Sequence, residues 1–545
     1  MPWIQAYAPV GEGVALSAGV AAVPLAVLFV CLALLRMKVF KAALCALAAA
    51  SVLSVTAWGM PAGLAARAAA QGAAFGLFPV FFIVLASLFL FNITVKSGQF
   101  DVIRASLADL TADRRLQALL IAFCFGAFIE GAAGFGAPVA IAGATLVGLG
   151  FRPFQAAGLC LVANTAPVAF GTIGIPIVAL GGVMGLNDAG LMKLSAVVGH
   201  QLPFISLILP AYLVLIMAGP RKTAEVLPAV VACGAAFAGC QWFVASRLGP
   251  YLPDIISSLA AMAALVVLLR FWRPRTLFRF DHDPSIGAGH GHGPAVVLRA
   301  WFPYLALTAM VLLWGAPPVK ATLNRTTVMI PVAGLDNAIA KPPAAPGGAA
   351  VPIPAKYKLD YLASGGSAVL IAALLSGVLS GLGAGEVLRI FGRTLHDLRF
   401  PALTFASVLA LAYVMNASGM TAALGIFCTR AGRLFPFVAP VLGWIGVFLT
   451  GSDTSSNVLF GGLQKSAAEQ LGINPLLTAA ANTSGGVMGK MISPQSLAVA
   501  CAATGMVGEE GSLFRFTLKH SVPLLLVICA ITYLQAYYLT WMVPS

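Results

Sequence analysis

Charged residues are scarce in this chain. Asp, Glu, Lys and Arg together make up 9% of its 545 residues, whereas a soluble domain is about a quarter charged. A soluble protein with so few charges could not cover its surface. Because the chain is also 60% hydrophobic, with a mean hydropathy of +0.95, we predict that it is an integral membrane protein whose main solvent is lipid.

Motifs for metal binding, disulfide bonding and catalysis are also lacking. The nine cysteines are scattered and include no Cys-x-x-Cys pair, which disfavours a metal or disulfide role. No His-Glu-x-x-His motif occurs, and Gly131, Gly134 and Gly136 do not follow the strand that a nucleotide-binding loop requires. We therefore predict a protein that is not an enzyme and needs no cofactor, with an intramembrane enzyme as the less favoured alternative.

One linker, at 271–297, is rich in side chains that can bind metals. Its acids and histidines are Asp281, His282, Asp283, His290 and His292. The surrounding basic residues favour a solvated linker over a metal site, so no metal site is predicted.

Acidic residues are outnumbered by basic ones, 18 to 32, which gives a formal net charge of +14. The basic residues lie in short clusters between apolar runs. This distribution is typical of the positive charges that stay on the cytoplasmic side of a membrane. We therefore predict no nucleic-acid partner.

Long apolar runs are abundant, and about 20 such residues suffice for a membrane span. Twelve runs qualify, near residues 14–35, 39–60, 73–95, 155–180, 191–218, 224–246, 253–270, 298–315, 363–383, 400–418, 475–503 and 519–541. Placing the loop of Arg36, Lys38 and Lys41 in the cytoplasm leaves most basic residues on that side. The sequence thus predicts an all-α polytopic protein of the cell inner (plasma) membrane with about 12 spans, lipid as a partner, both termini external and no particular oligomeric state.

Two further apolar runs are too long for one span and too short for two. One contains Glu130 as its only charge, and the other contains Asp453. Small or polar residues interrupt each run near its middle, and irregular backbone within a membrane is tolerated only where protein or water satisfies it. We predict two re-entrant helical hairpins, at about 117–151 and 434–464, which enter from the cytoplasm and from outside respectively.

The hairpins belong to an internal repeat with an offset of about 320 residues. Matches recur in order at this spacing, namely Ser97-Gly98 with Ser418-Gly419, Ala163-Asn-Thr165 with Ala481-Asn-Thr483, and His200 with His520. The predicted topology inverts the two copies, which is a transporter architecture. The predicted units are an N-terminal span (1–38), a first inverted repeat (39–218, with a broken span at about 155–180), inter-repeat spans (219–315), an irregular external loop rich in Pro, Gly and Ala (316–362), and a second inverted repeat (363–545, with a broken span at about 475–503).

Four blocks of sequence carry a family resemblance: GAFIEGAAGFGAPVAIAG, LVANTAPVAFGTIGIP, GSDTSSNVLFGGLQ and ANTSGGVMGKMISPQSLAVA. They resemble the signature regions of the bacterial L-lactate permease family, and the resemblance extends over nearly the whole chain. It implies symport of L-lactate, D-lactate and glycolate with protons. A more distant similarity is to the divalent anion–sodium symporters, so a sodium-coupled carboxylate symporter stays open as an alternative.

Glu130 and Asp453 are the candidate proton-coupling residues. A charged side chain at membrane depth costs about 2.5–3.5 kcal/mol on insertion scales, so it is rarely kept without a use. Burial favours the neutral acid, which suits reversible protonation. The alternative is a structural pair, formed with Lys490, that only holds the hairpins.

The candidate substrate-binding residues lie in the hairpin tips and the broken spans. Hydroxyl and amide groups suit a 2-hydroxy acid, a lysine suits its carboxylate, and glycines allow the backbone to approach a ligand closely. Helix capping is the alternative role for the Asn-Thr pairs. The candidates are Gly131, Gly134, Gly136, Asn164, Thr165, Ser452, Thr454, Ser455, Ser456, Asn457, Asn482, Thr483 and Lys490.

Overall fold

Helices dominate the computed structural model, which describes residues 2–11, 13–35, 37–134, 136–280, 293–343 and 349–544. The helices before the first repeat and within it are α1 (Val14–Phe29), α2 (Val39–Thr56), α3 (Ala62–Phe75), α4 (Phe82–Lys96), α5 (Gln99–Ala108), α6 (Arg114–Ala118), α7 (Gly126–Ala132), α8 (Ala137–Gly148), α9 (Pro153–Ala163), α10 (Gly171–Met184) and α11 (Asp188–Ala218). Segments of π-helix extend or join them at Val30–Leu34, Gly76–Phe81 and Leu119–Phe125.

The remaining helices follow in the same chain order. They are α12 (Pro220–Ala224), α13 (Leu227–Arg247), α14 (Pro253–Phe271), α15 (Pro294–Gly315), α16 (Pro317–Asn324), α17 (Gly365–Leu379), α18 (Ala384–Asp397), α19 (Arg399–Ser418), α20 (Met420–Cys428), α21 (Phe435–Thr450), α22 (Asp453–Leu471), α23 (Pro475–Lys490), α24 (Pro494–Thr504) and α25 (Glu510–Tyr537). Short 3-10 turns lie at Val168–Phe170, Thr429–Leu434 and Thr540–Met542.

The number of apolar helices agrees with the sequence. Within the described residues, 11 helices are long and apolar enough to cross a membrane, or 12 if the pair Pro153–Ala163 and Val168–Met184, bent by 63°, is one span. The prediction of an all-α membrane protein with about 12 spans is confirmed.

One predicted span differs in length from the structure. The predicted span at 363–383 is a helix of 15 residues, α17, because left-handed Gly381 turns the chain soon after its end. The span at 475–503, which is predicted to be broken, consists of α23 and α24 with a turn before Pro494. Two segments that are not among the twelve predicted spans, Arg114–Ala132 and Met420–Thr450, reach span length. The re-entrant character of the two hairpins therefore stays a prediction.

The order of helices is compatible with the internal repeat. At the predicted offset, α5 corresponds to α20, α9 to α23, α10 to α24 and α11 to α25. The two connecting helices, α5 and α20, both begin after a left-handed glycine, Gly98 and Gly419. Glycine takes this conformation without the steric cost that a Cβ atom adds. The inversion of the copies stays a prediction.

The segment at 316–362 is more regular than predicted. Its described residues contain α16 and four strands, β2 (Val328–Pro331), β3 (Ile339–Lys341), β4 (Val351–Pro352) and β5 (Lys356–Leu359). Strand β2 pairs with β5 antiparallel, and β3 pairs with both β4 and the N-terminal strand β1 (Trp3–Ile4). The prediction of an irregular loop is wrong here, because strand partners that are distant in sequence satisfy its backbone. The pairing of β1 with β3 also places the N-terminal residues beside this segment.

A buried ion pair anchors the base of the first hairpin. Arg115 and Asp113 are both fully buried, and their side chains form two contacts, Nε to Oδ1 at 3.0 Å and Nη2 to Oδ2 at 2.7 Å. Arg115 Nη1 also donates to Glu225 Oε2 at 2.8 Å. Removing one partner of such a pair leaves an uncompensated buried charge. The hairpin is thereby fixed to the connection between α12 and α13.

Two glycines allow the second hairpin to contact α23 closely. A Cβ atom at Gly443 in α21 would lie 1.8 Å from the backbone oxygen of Asn482, and one at Gly485 in α23 would lie 2.1 Å from that of Pro440. Small residues let helix backbones approach each other in a membrane, where apolarity alone drives no association. This packing places the tip of the hairpin beside the C-terminal end of α23.

Candidate functional site

A cavity lies where the two hairpins meet the broken spans. Its volume is about 280 Å³, and it combines apolar walls with a small set of polar groups, as small-molecule sites do. The polar and charged side chains that line it belong to Lys38, Glu130, Thr172, Thr404, Thr450, Ser452, Asp453, Thr454, Ser455, Lys490 and Gln495.

The tip of the second hairpin places the N-terminus of α22 at this cavity. Helix α21 ends at Thr450, left-handed Gly451 reverses the chain, and the Ser452 side chain caps α22 by accepting a hydrogen bond from the Ser455 N–H at 3.2 Å. The first residues of α22 line the cavity. A helix N-terminus favours negative charge because its free N–H groups and its dipole both point there. This end of the cavity can therefore bind an anion.

Asp453 is held at the cavity wall by a buried polar network. Its Oδ2 accepts hydrogen bonds from Thr483 Oγ1 at 2.5 Å and from Asn457 Nδ2 at 3.3 Å, and Asn482 Nδ2 donates to Asn457 Oδ1 at 2.9 Å. Asp453 is 3% exposed, and its Oδ1 has no hydrogen-bond partner among the described residues. One carboxyl oxygen is thus positioned and the other is free to take part in chemistry.

Glu130 occupies the corresponding place on the first hairpin. It is 5% exposed, and Asn164 Nδ2 donates to its Oε2 at 3.1 Å. A Cβ atom at Gly171 would lie 2.7 Å from Glu130 Oε1, so the glycine makes room for the carboxyl group. Asn164 and Glu130 together connect the broken span to the hairpin.

The broken span contains three consecutive left-handed residues. Thr172, Ile173 and Gly174 have φ angles of +45°, +58° and +74°. Left-handed backbone is unusual for β-branched residues, and strain of this kind clusters at functional sites. The turn brings the Thr172 side chain to the cavity wall.

Lys490 links the two halves of the site. It is the last residue of α23, and its Nζ donates to the Gly451 carbonyl oxygen at 2.6 Å. Lys490, Glu130 and Asp453 all line the same cavity. The site therefore combines one cation with two acids that come from different hairpins.

The mouth of the cavity has aromatic and basic residues. Phe40, near the start of α2, stacks on Phe400, near the start of α19, with ring centroids 5.1 Å apart. Lys38 Nζ lies 5.5 Å from the centroid of the Phe400 ring. The predicted topology puts the starts of α2 and α19 on the cytoplasmic side, so in that topology the cavity opens to the cytoplasm.

The predicted site residues fall into three groups. Six of them line the cavity: Glu130, Ser452, Asp453, Thr454, Ser455 and Lys490. Four lie behind it and position the acids through hydrogen bonds: Asn164, Asn457, Asn482 and Thr483. Five do not line it: Gly131, Gly134, Gly136, Thr165 and Ser456.

The five residues outside the lining contribute to packing and backbone geometry. Thr165 Oγ1 donates to the Val162 carbonyl oxygen at 2.7 Å, a local hydrogen bond at the end of α9. Ser456 Oγ donates to the Gly443 carbonyl oxygen at 3.1 Å. Gly134 and Gly136 are left-handed turn residues.

Other functional candidates were not visible in the sequence. Thr172 and Gln495 line the cavity. The Pro and Gly residues around each of them predict a broken helix, but they do not show which side chain faces the cavity. His200 Nδ1 contacts the Met542 carbonyl oxygen at 2.6 Å and His520 contacts the Tyr212 hydroxyl at 2.7 Å, so both histidines make hydrogen bonds away from the cavity.

Metal ligands do not gather in the part of the chain that the structure describes. No group of three or more His, Cys, Asp and Glu residues there could hold a metal ion. The metal-binding alternative at 281–292 lies outside the described residues.

The site has isolated charges that line a cavity between interrupted helices, and it lies inside a bundle of about 12 apolar spans. These features together define a secondary transporter. The sequence model described as L-lactate permease matches residues 17–539. This chain belongs to the L-lactate permease family, and it is a multi-pass plasma-membrane protein and not an enzyme.

Several named relatives match the chain over 99–100% of its length. The L-lactate permease of Bacillus subtilis (strain 168) is 49% identical, with 100% of both chains covered. The L-lactate permease of Escherichia coli (strain K12) is 46% identical over 99% of this chain and 100% of its own. The glycolate permease GlcA of the same strain is 46% identical, with 100% of both chains covered. The predicted family is confirmed.

Proposed function

We propose that this protein imports L-lactate, and the related 2-hydroxy monocarboxylates D-lactate and glycolate, together with protons across the plasma membrane. The observation that carries the proposal is the cavity lined by Lys490 and by two buried acids, Glu130 and Asp453, beside the hydroxyl groups at the start of α22. The names of the relatives, two L-lactate permeases and a glycolate permease, support this class of substrate.

The substrate carboxylate has a matching place in the cavity. Lys490 offers a positive charge, and the N-terminus of α22 offers N–H groups and a favourable dipole. Ser452, Thr454 and Ser455 can exchange hydrogen bonds with the 2-hydroxyl group and the carboxylate. A single deep cation suits a substrate with one carboxylate.

Charge balance explains why protons accompany the substrate. If both acids were ionised, the empty site would hold two negative charges and one positive charge at low dielectric, so one acid is neutral. A monocarboxylate brings another negative charge to Lys490, and protonating the second acid restores neutrality. Binding of anion and proton then favour each other, and by linkage the effect is reciprocal. One proton crosses with each monocarboxylate.

Sodium coupling is the second candidate, since the acids and carbonyl oxygens of the site are groups that bind hard cations. We expect proton coupling because one added proton is enough to make the net charge of the site zero when a monocarboxylate is bound to one cation and two acids. We also propose that the two hairpins are re-entrant and that both termini are external, which makes the cavity inward-facing.

Uptake of labelled lactate into cells that express the protein distinguishes these candidates. We expect accumulation that a protonophore abolishes and that replacement of sodium by potassium leaves unchanged, because the proton gradient supplies the driving force. Cells with the empty vector give the background. Accumulation that needs sodium and survives the protonophore would establish the sodium alternative.

A further inference from the structure

Asp254 is a buried acid that the proposed site does not use. It is the second residue of α14 and is 1% exposed. Neither of its carboxyl oxygens has a hydrogen-bond partner among the described residues. Buried polar groups nearly always have a partner, because an unmade hydrogen bond costs the full desolvation of the group. An acid in this state is a candidate for a function.

The first hairpin contacts Asp254 directly. A Cβ atom at Gly131 would lie 2.7 Å from Asp254 Cβ, so the glycine lets α7 approach α14. Glu130 is the neighbouring residue of Gly131 on α7, which places it on the helix that Asp254 contacts. Two neighbouring buried carboxyl groups repel each other when both are ionised, so we expect the pair to keep at least one proton.

The other ionisable groups around α14 do not replace Glu130 in this role. Helix α13 contributes Cys233 and Cys240, and the π-helical segment Leu119–Phe125 contributes Cys124. The sulfur atoms of Cys124 and Cys233 contact each other at 3.5 Å. Arg247 is exposed at the end of α13. Helix α10, which also packs on α14, has no ionisable side chain. Glu130 is thus the group with which Asp254 can exchange a proton.

Two further unpartnered polar atoms belong to residues close to Asp254 in sequence or bonded to Glu130. Ser257 lies one helical turn after Asp254, and its hydroxyl oxygen is buried without a partner among the described residues. Asn164, which donates to Glu130, has an unpartnered buried Oδ1. Buried polar atoms without a protein partner are suited to binding a water molecule.

We propose that Asp254 and Glu130 form a proton-sharing pair, in which Asp254 replaces the proton that Glu130 gives to Asp453 when the substrate occupies Lys490. In this step the Glu130 O–H bond breaks as the Asp453 O–H bond forms, and the Asp254 O–H bond breaks as a new Glu130 O–H bond forms. Asp254 is left as a carboxylate and takes up a proton from water at the end of α14 where the helix begins. In the proposed topology this end faces outward, which is the side from which an imported proton arrives. The inference rests on the proposed function.

Purified protein in liposomes tests the pair through two measurements on each variant. Exchange of labelled for unlabelled lactate at equal pH needs no net proton movement, whereas accumulation driven by a pH gradient does. Asp254→Asn keeps the shape of the neutral acid but cannot release a proton. We expect it to retain exchange and to lose accumulation, and we expect the same of the smaller variant Asp254→Ser. Ser258→Ala is the matched control, because among the described residues this hydroxyl bonds to the Ile255 carbonyl oxygen of its own helix alone. This variant should retain both activities.

Three results would overturn the inference. The first is normal accumulation by either Asp254 variant. The second is loss of exchange and accumulation in equal proportion, which marks a structural role. The third is absence of both variants from the membrane while Ser258→Ala is present. Failure of the wild-type protein to accumulate lactate under a pH gradient would instead contradict the proposed function itself, so the two failures are distinguishable.

Discussion

Replacing Asp453 by asparagine is expected to abolish the accumulation of lactate against a gradient while leaving lactate exchange intact. The amide resembles the protonated acid in shape and can keep the contacts with Thr483 and Asn457, but it cannot release a proton. A carrier in which residue 453 is always neutral can exchange one substrate molecule for another. It cannot release a proton inside the cell and then return without substrate, which is the step that accumulation requires. The measurement is uptake of labelled lactate under an inward proton gradient, with counterflow exchange assayed in parallel.

The control for this variant is Asp101→Asn. Asp101 is an exposed acid on α5 that forms an ion pair with Arg104, and its loss should leave both activities unchanged. Normal accumulation by Asp453→Asn would remove Asp453 from the coupling. The same assay on Glu130→Gln shows whether one acid or both carry the proton.

Replacing Lys490 by methionine is expected to abolish exchange as well as accumulation. The lysine is the one deep cation among the described lining residues, so its loss removes the partner of the substrate carboxylate. It also leaves buried acids without a counter-charge, and breaking a buried pair costs about 3–5 kcal/mol. The acids will therefore remain protonated, and the site will lose its attraction for an anion. Binding and exchange of labelled lactate by purified protein measure the effect.

Lys465→Met is the matched control. Lys465 lies on α22 and donates to the Met184 carbonyl oxygen at 2.7 Å, much as Lys490 donates to Gly451, but it does not line the cavity. This variant should bind and exchange lactate as the wild type does. Wild-type affinity in Lys490→Met would place the substrate carboxylate elsewhere.

The membrane class and the main charges of the site could be predicted from the sequence. Backbone groups in lipid must be satisfied within the segment, so apolar runs of sufficient length indicate helices. Glu130 and Asp453 were visible because each is the sole charge in a long apolar run, and Lys490 because it follows an Asn-Thr pair in a broken span.

The packing around the site could not be predicted in the same way. Asp254 begins a predicted span, where an acid is usually a favourable first-turn residue. Only the fold shows that it is buried against Gly131 of the first hairpin. The left-handed backbone at Thr172 likewise depends on contacts distant in sequence. The amphipathic helix α18 was also not predicted. Its mean hydropathy is low, so the sequence shows only a connection between two spans there.

The measurement that tests the account most directly is the number of protons taken up with each lactate molecule. Purified protein in liposomes that contain a pH-sensitive dye reports protons, and labelled substrate reports lactate. Since one cation and two acids are neutralised by a single added proton when a monocarboxylate binds, we predict one proton per lactate and no net movement of charge, so that an imposed membrane potential leaves the rate unchanged. Uptake of lactate without protons, or uptake that requires sodium or carries net charge, would contradict the account.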